Sequence, residues 1–401
     1  MSQVDAAEDA RFMARALRLA ERGLYSTDPN PRVGCLLVRA GEIIAEAWHE
    51  RAGEPHAEAL ALRQAGERAQ GATAYVTLEP CCHQGRTPPC TEALIKAGVA
   101  RVVAAMQDPN PRVAGQGFAR LRAAGVLVEA GLMQAEAEAL NPGFIRRMRD
   151  GLPWVRCKLA MSLDGRTAMA SGESRWITSD AARADVQRLR ARSSAIVTGI
   201  GTVLADNPAL NVRIDPVTGR PPATGSAPRQ PPRVVLDSQL RLPSDARLLA
   251  LPGQTLVMTA VTAEHPRWSS LEAAGAEVLA CIPSRTGQID LGRALRELAH
   301  RECNEVLIEA GPRLAGAALR CGWIDELWLY LAPHLMGDAA RGLFHLPGLE
   351  RMDERIGLEL LDARQIGGDL RLRLRPREGV ETMATGLAAT AGQEAGQGVH
   401  V

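Results

Sequence analysis

The feature that most restricts how this chain can fold is a set of potential metal ligands scattered along its first quarter. His56-Ala57-Glu58 is followed by Glu79-Pro80-Cys81-Cys82 and then by Pro89-Cys90. One neutral imidazole and two thiolates suit a tetrahedral zinc ion and leave its fourth position to water. For His56, Cys81 and Cys90 to share one ion, a helix start and a distant loop have to converge. The surrounding sequence agrees with that demand. His56 follows Pro55 and opens an Ala-, Leu-, Arg- and Glu-rich stretch, residues 57–69, that predicts a helix. Cys81 and Cys90 bracket a loop between a predicted strand, 73–78, and a predicted helix, 91–97, that stops at Gly98. The positive ends of such helices favour thiolate over thiol.

Taken singly, these residues have ordinary explanations. A His beside a helix start is most often a cap or a surface residue, and a Cys pair in a cytosolic protein is most often buried. A closed structural zinc site is a further alternative, with Cys82 or His83 as fourth ligand. The joined order H-x-E, P-C and a later Cys is far more specific, and it is the signature of zinc-dependent deaminases. In that chemistry a carboxylate that does not bind the metal moves protons among the water, the ring nitrogen and the departing amine. Glu58 is the candidate. Nucleic-acid and cytidine deaminases space their two Cys as C-x-x-C, whereas eight residues lie between Cys81 and Cys90. The composition also weighs against a zinc nucleic-acid base deaminase with an accessory binding domain. There are 47 basic and 46 acidic side chains, so a strongly basic surface is missing. Aromatic residues make up 3%, too few for stacking platforms.

At 401 residues the chain is expected to hold two or three domains. An amphipathic helix is expected over 9–24, then a hairpin of strands 33–38 and 43–48 turning at Ala40-Gly41, and a further strand over 101–106. Helices and strands alternate, which predicts an α/β layered domain with a largely parallel sheet. Residues 150–153 read as a linker. Strands are then expected at 155–161, 195–199, 233–237, 255–259, 305–309 and 326–332. In the last strand Leu370, Leu372 and Leu374 alternate with arginines as a half-buried, domain-closing strand should. Residues 215–232 read as a Pro-rich surface insertion, and residues from about 378 onward as a disordered tail. No apolar run reaches the roughly 20 residues of a membrane span, the N-terminus lacks a signal peptide's apolar core, and the eight Cys are dispersed. A cytoplasmic protein without a disulfide scaffold is expected.

Five stretches carry a resemblance. YVTLEPCCHQGRTPPCTEALI (75–95) and NPRVGCLLV (30–38) resemble the deaminase half of the bifunctional riboflavin-biosynthesis deaminase–reductases. KLAMSLDGRTAMASGESRWIT (158–178), TVLADNPALNVR (202–213) and EAGPRLAGA (309–317) resemble the reductase half, and the five occur in the family's order. The resemblance implies a cytidine-deaminase-like α/β/α layered domain over 1–150, a dihydrofolate-reductase-like α/β domain over 151–378, and an idle tail over 379–401. It implies a phosphorylated pyrimidine substrate, 2,5-diamino-6-(5-phosphoribosylamino)pyrimidin-4-one, which loses its 2-amino group by hydrolysis. His56, Cys81 and Cys90 match the family's zinc ligands, Glu58 its proton shuttle and Asn30 a substrate contact. His83, Arg86 and Thr87 lie in the inserted loop, where they either touch substrate or are solvated.

In the second half Gly199-Ile200-Gly201 is only a fragment of a dinucleotide turn, and Glu309-Ala310-Gly311-Pro312 is a helix start whose amides could hold a pyrophosphate. Arg166, Arg175, Arg183, Arg190 and Arg213 are numerous enough to offer phosphate clamps. Here the resemblance implies more than the pattern does: NADPH reduces the ribosyl group to a ribityl chain. Ala160, Trp176, Thr202, Asp206, Ser238 and the run from Gly311 match cofactor positions. Ser174, Arg190, Leu210, Arg213 and Glu309 match substrate contacts. Lys158 and Asp206 are the candidates for polarising the sugar or handling its proton. No strong nucleophile is expected, so Cys157, Cys281, Cys303 and Cys321 read as ordinary thiols and the six Trp, except Trp176, as mostly core. The family also implies a homodimer or higher homo-oligomer, with no nucleic-acid or membrane partner.

Overall fold

The computed structural model describes residues 3–83, 88–223 and 227–377, and the chain divides into two compact units, Met1–Leu152 and Pro153–Val401. Arg86, Thr87 and the expected tail lie outside the described residues. No helix among the described residues is long and apolar enough to cross a membrane.

In the first unit α1 (Gln3–Ala20) starts earlier than its apolar pattern and buries Phe12, Met13, Ala16, Leu17 and Leu19. Strands β1 (Gly34–Arg39) and β2 (Glu42–Trp48) form the expected hairpin. Ala40 and Gly41 both take positive φ, 51° and 79°, as a two-residue hairpin turn requires. Then come α2 (Ala57–Ala65), β3 (Thr73–Val76), α3 (Cys90–Lys96), β4 (Arg101–Ala104), α4 (Gln116–Ala123), β5 (Leu127–Ala130), α5 (Gln134–Leu140) and α6 (Pro142–Asp150). The sheet order is β2-β1-β3-β4-β5. Only β3, β4 and β5 pair in parallel, because β1 runs against both its neighbours. The expectation of a largely parallel sheet therefore needs correction: a two-residue turn can join only antiparallel strands.

The second unit runs β6 (Trp154–Ser162), β7 (Arg166–Ala168), α7 (Asp180–Arg192), β8 (Ala195–Gly199), α8 (Ile200–Asp206), β9 (Arg233–Leu236), β10 (Thr255–Thr259), α9 (Trp268–Ala273) and β11 (Ala276–Ala280). It continues with α10 (Leu291–His300), β12 (Glu305–Ile308), α11 (Pro312–Arg320), β13 (Glu326–Ala332), β14 (Arg341–Gly342), β15 (Leu358–Ile366) and β16 (Asp369–Pro376). Nine strands form one sheet in the order β11-β10-β9-β8-β12-β6-β13-β16-β15, and β7 pairs with β14 apart from it. From β11 to β13 the pairing is parallel. Strands β8, β9, β10 and β12 are buried at every position, as in a parallel sheet covered on both faces.

One expectation holds only in part. At the start of β16 the alternation is inverted, since Leu370 is 39% exposed while Asp369 and Arg371 are buried, whereas further along Leu374 is buried and Arg375 exposed. Arg371 is neutralised by Asp185 and Asp362 at 2.9 and 3.1 Å and lies over Trp328, so burial suits it. As expected, β16 is the last strand of the second unit; within the sheet, β15 pairs on its far side and forms the edge. Of the six Trp, Trp328 is buried and Trp48, Trp154, Trp268 and Trp323 are half-buried, so most line the core rather than fill it. The described part of 215–232 is irregular but tied down. Asp215 accepts from the amides of Val217 and Thr218, and Gln230 bonds Val212 in both directions.

Candidate active sites

In the first unit the three expected ligands meet. His56 is the N-cap of α2, in extended backbone, and Cys90 is the first residue of α3. His56 Nδ1 lies 3.6 Å from Cys81 Sγ and 3.3 Å from Cys90 Sγ. Ligand atoms around a tetrahedral zinc stand roughly 3.3–3.8 Å apart, given its bond lengths. The spacing and the donor set of one nitrogen and two sulfurs therefore fit zinc. Among the described residues this cluster contains no fourth ligand: Cys82 is partly exposed outside it, and His83 is exposed. The closed structural alternative is not formed.

Several groups hold Cys81 in place. The Cys90 amide donates to its sulfur at 3.3 Å, and the amide and hydroxyl of Thr91 donate to its carbonyl. Hydrogen bonding from Cys90, aided by His56, draws the Cys81 thiol down to about 4. Upstream, the buried Glu79 carboxylate accepts from the amides of Asp108, Gly115 and Phe118. A Cβ at Gly117 would stand 2.2 Å from the Pro80 carbonyl, so α4 packs directly on the residue before Cys81. Glu58 is 4% exposed, and that burial raises its carboxyl above the ordinary range. His49 meets the His56 ring edge-on at 5.4 Å, and its Nε2 lies 3.1 Å from Asn30 Nδ2. Asn30 thus reaches the site through His49, which the sequence reading passed over, as it did Glu79. Glu79 stood inside the quoted motif; His49 gave no periodic or spacing signal.

The second unit contains a cleft of about 1470 Å³ at the carboxyl ends of its parallel strands. Every position matched to cofactor, substrate or catalysis in this half lines it: Lys158, Ala160, Ser174, Trp176, Arg190 and Thr202, and also Asp206, Leu210, Arg213, Ser238, Glu309 and Gly311. The two glycine-led helix starts converge there, with the Gly311 amide donating to Thr202 Oγ1 at 3.1 Å. Glu309 and Arg190 form a buried two-pronged pair at 2.5 and 2.9 Å. Lys158 follows Cys157, which is aligned with Ile308 on the β6–β12 ladder, so it flanks Glu309. Burial pushes the Lys158 ammonium below its usual range, against the opposing pull of Glu309. Ser174 donates to Asp206 at 3.3 Å, Leu210 is buried with φ 44°, and Trp176 is 71% exposed under the Arg183 guanidinium.

The expected clamps divide. Arg190 is committed to Glu309, Arg175 donates to the Asp206 carbonyl, and Arg183 bonds Asp180 and Thr178. Arg166 does not line the cleft and lies near Asp338. Arg213 is exposed and bonded to Asn211. Other arginines, 241, 247, 313, 320 and 341, line the cleft instead. Among the described lining residues, Lys158 and nine arginines stand against two carboxylates, Asp206 and Glu309. A dinucleotide carrying a pyrophosphate and a further phosphate fits that charge and the paired helix starts.

Residues 6–106 match the cytidine and deoxycytidylate deaminase zinc-binding region, and residues 153–372 match the RibD C-terminal domain. The Escherichia coli riboflavin biosynthesis protein RibD is 53% identical over 370 residues, covering 92% of this chain and 99% of that protein. The chain belongs to the bifunctional riboflavin-biosynthesis deaminase–reductases. Haemophilus influenzae RibD is 48% identical over 378 residues, covering 92% of this chain and 98% of that protein. Among solved structures, Acinetobacter baumannii RibD superposes with a TM-score of 0.83 at 48% identity, covering 93% of this chain and 100% of that one. A diaminohydroxyphosphoribosylaminopyrimidine deaminase/5-amino-6-(5-phosphoribosylamino)uracil reductase from Thermotoga maritima gives 0.80 at 31% identity over the same shares. As a deaminase–reductase, the chain combines a cytidine-deaminase-like first fold with a dihydrofolate-reductase-like second one. Zinc and NADPH are its cofactors.

Proposed function

We propose that residues 1–150 deaminate 2,5-diamino-6-(5-phosphoribosylamino)pyrimidin-4-one, and that residues 151–378 then reduce its ribosyl group, giving 5-amino-6-(5-phosphoribitylamino)uracil. The observation that carries this reading is the convergence of His56, Cys81 and Cys90 beside a buried Glu58 that is no ligand. His56, Cys81 and Cys90 hold the zinc. Bound there, zinc supplies Lewis acidity; NADPH, bound in the cleft, supplies the hydride. Glu58 takes a proton from the attacking water and delivers protons to the ring nitrogen and the leaving amine. Asn30, oriented by His49, contacts the pyrimidine, and His83 and Arg86 are further substrate-binding residues.

In the cleft Ala160, Trp176, Thr202, Ser238 and Gly311 seat the cofactor. Ser174, Leu210, Arg213 and the Arg190–Glu309 pair orient the phosphosugar. Lys158 presents its ammonium to the opened sugar, and Asp206 handles a proton. Positioning carries most of this step. The enzyme works in the cytoplasm as a homodimer or larger homo-oligomer, and residues 379–401 take no part in either reaction.

The test supplies the diamino-pyrimidinone phosphate to purified protein and follows ammonia release and NADPH oxidation. Ammonia without NADPH, followed by oxidation once NADPH is added, is the expected result. Ammonia with no oxidation would overturn the reductase assignment, and oxidation without ammonia the order of steps.

A further inference from the structure

Asn30 sits in a segment that its own backbone holds weakly. In Asp28-Pro29-Asn30-Pro31-Arg32 both prolines lack an amide, and the ladder of β1 begins only at Gly34. The Asn30 amide donates to the Thr27 carbonyl at 2.8 Å, a bond within the same turn. The next anchor comes from 109 residues along the chain. The buried Asn141 accepts from the Arg32 amide through Oδ1 at 2.8 Å and donates to the Arg32 carbonyl through Nδ2 at 3.0 Å. One side chain thus satisfies both backbone groups of a buried residue, as a partner strand would. The buried Arg32 guanidinium returns a bond to the Leu140 carbonyl.

Asn141 gives up an ordinary role to do this. It stands at the N-cap of α6, where an asparagine side chain commonly accepts from the first amides of its own helix. Here it makes no such bond, and Pro142, which has no amide to cap, opens the helix. A residue serving only to start α6 would turn its oxygen towards the helix.

The side chain of Asn30 is fixed separately. The Pro55 carbonyl can only accept, so His49 Nδ1, 3.1 Å from it, carries the ring proton and Nε2 accepts from Asn30 Nδ2. That orientation leaves Asn30 Oδ1 to accept from an amino or ring N–H group, which a diamino-pyrimidinone offers. Asn30 therefore has its side chain set by His49 and its backbone set, two residues on, by Asn141.

Resting on the reading of Asn30 as the pyrimidine contact, we infer that Asn141 is a positioning residue for deamination, clasping the Arg32 backbone so that Asn30 meets the substrate.

Deamination kinetics of the full-length zinc-loaded chain, with Asn30→Ala and Asn141→Ala singly and together, test this. Asn141→Ala strips both Arg32 backbone groups of their partner. It raises KM for the diamino-pyrimidinone phosphate about 10- to 100-fold and changes kcat less than about threefold, the split expected when binding alone is lost. Zinc stays stoichiometric, and reduction of supplied deaminated intermediate is unchanged. Asn141→Asp keeps an acceptor for the Arg32 amide, loses the donor and falls between; it runs the same cycle if the alanine variant does not fold. In an Asn30→Ala chain, adding Asn141→Ala raises KM less than about twofold, because the group it places is already gone. Additive effects, an equal fall in kcat and kcat/KM, loss of zinc, or an unchanged KM in Asn141→Ala would each overturn the assignment. Hydrogen exchange separates the clasp from the reading it rests on. Amides in 30–34 exchange at least about 10-fold faster in Asn141→Ala, and no acceleration would refute the clasp. Acceleration together with a wild-type KM in Asn30→Ala would instead refute the pyrimidine contact and leave the clasp standing.

Discussion

Glu58 and Cys82 separate two roles that residues so near a metal can play. Glu58 is buried against the ligands but outside their set, whereas Cys82 sits beside a ligand in sequence and away from the cluster in space. Glu58→Gln keeps its volume and removes its ability to accept a proton. That variant should retain stoichiometric zinc by metal analysis, and deaminate about 10²- to 10⁴-fold more slowly. It should still reduce supplied deaminated intermediate at the wild-type rate. Cys82→Ser should also retain zinc and should deaminate normally; a metal-free Cys82→Ser protein would place the wrong sulfur in the ligand set. The three ligands and Glu58 could be read from residue types and spacing, because metal chemistry permits few alternatives. His49 could not, since its link to His56 is a tertiary ring contact with no sequence period.

At the level of elements, the Cys81 loop is located less by its own residues than by α4 and the turn before it. Glu79 collects three amides from that segment, and Gly117 lets the helix approach the Pro80 carbonyl. An Ala inside a helix normally stabilises by about 1 kcal/mol relative to Gly. At Gly117 a Cβ 2.2 Å from backbone oxygen reverses that preference, because neither partner is a flexible side-chain end. Gly117→Ala should displace Pro80 and Cys81 and weaken zinc binding about 10-fold or more, measured by chelator competition. Unchanged zinc affinity would show that α4 does not set the loop. Such helix packing leaves no mark on the local pattern, which is why α4 was absent from the sequence reading while the hairpin at Ala40-Gly41 and the strands 195–199, 255–259 and 326–332 were recovered. The inversion at Leu370 and Arg371 has the same origin. The Leu/Arg alternation holds at Leu374 and Arg375, but Asp185 and Trp328 from distant segments and Asp362 on the paired strand make Arg371 a buried member.

Across the whole second unit, the sheet is bound at its base by charges as well as by apolar packing. Arg156 is buried between Glu305 at 2.5 Å and Glu326 at 2.9 Å, and Arg373 adds a second partner to Glu326. Burial by itself would raise the Glu326 carboxyl, but Arg156 and Arg373 outweigh it and hold the group at about 2. A carboxylate depressed in the folded state stabilises above its unfolded value and loses that contribution as pH falls. The window here runs from about 4.5 down to about 2, with a loss on the order of 3 kcal/mol. Denaturant unfolding at pH 7, 4 and 3 should show this decline. Glu326→Gln should be less stable at pH 7 and flatter across the same window, and parallel curves would exclude Glu326 as the titrating group. The excess of cationic side chains around the cleft has a kinetic counterpart. A funnel of one sign speeds the diffusional capture of polyanions, and mobile ions shorten its range to a Debye length of about 8 Å at physiological salt. Capture of both phosphorylated ligands is therefore governed by the ionic strength of the surrounding fluid as well as by the fit of the cleft.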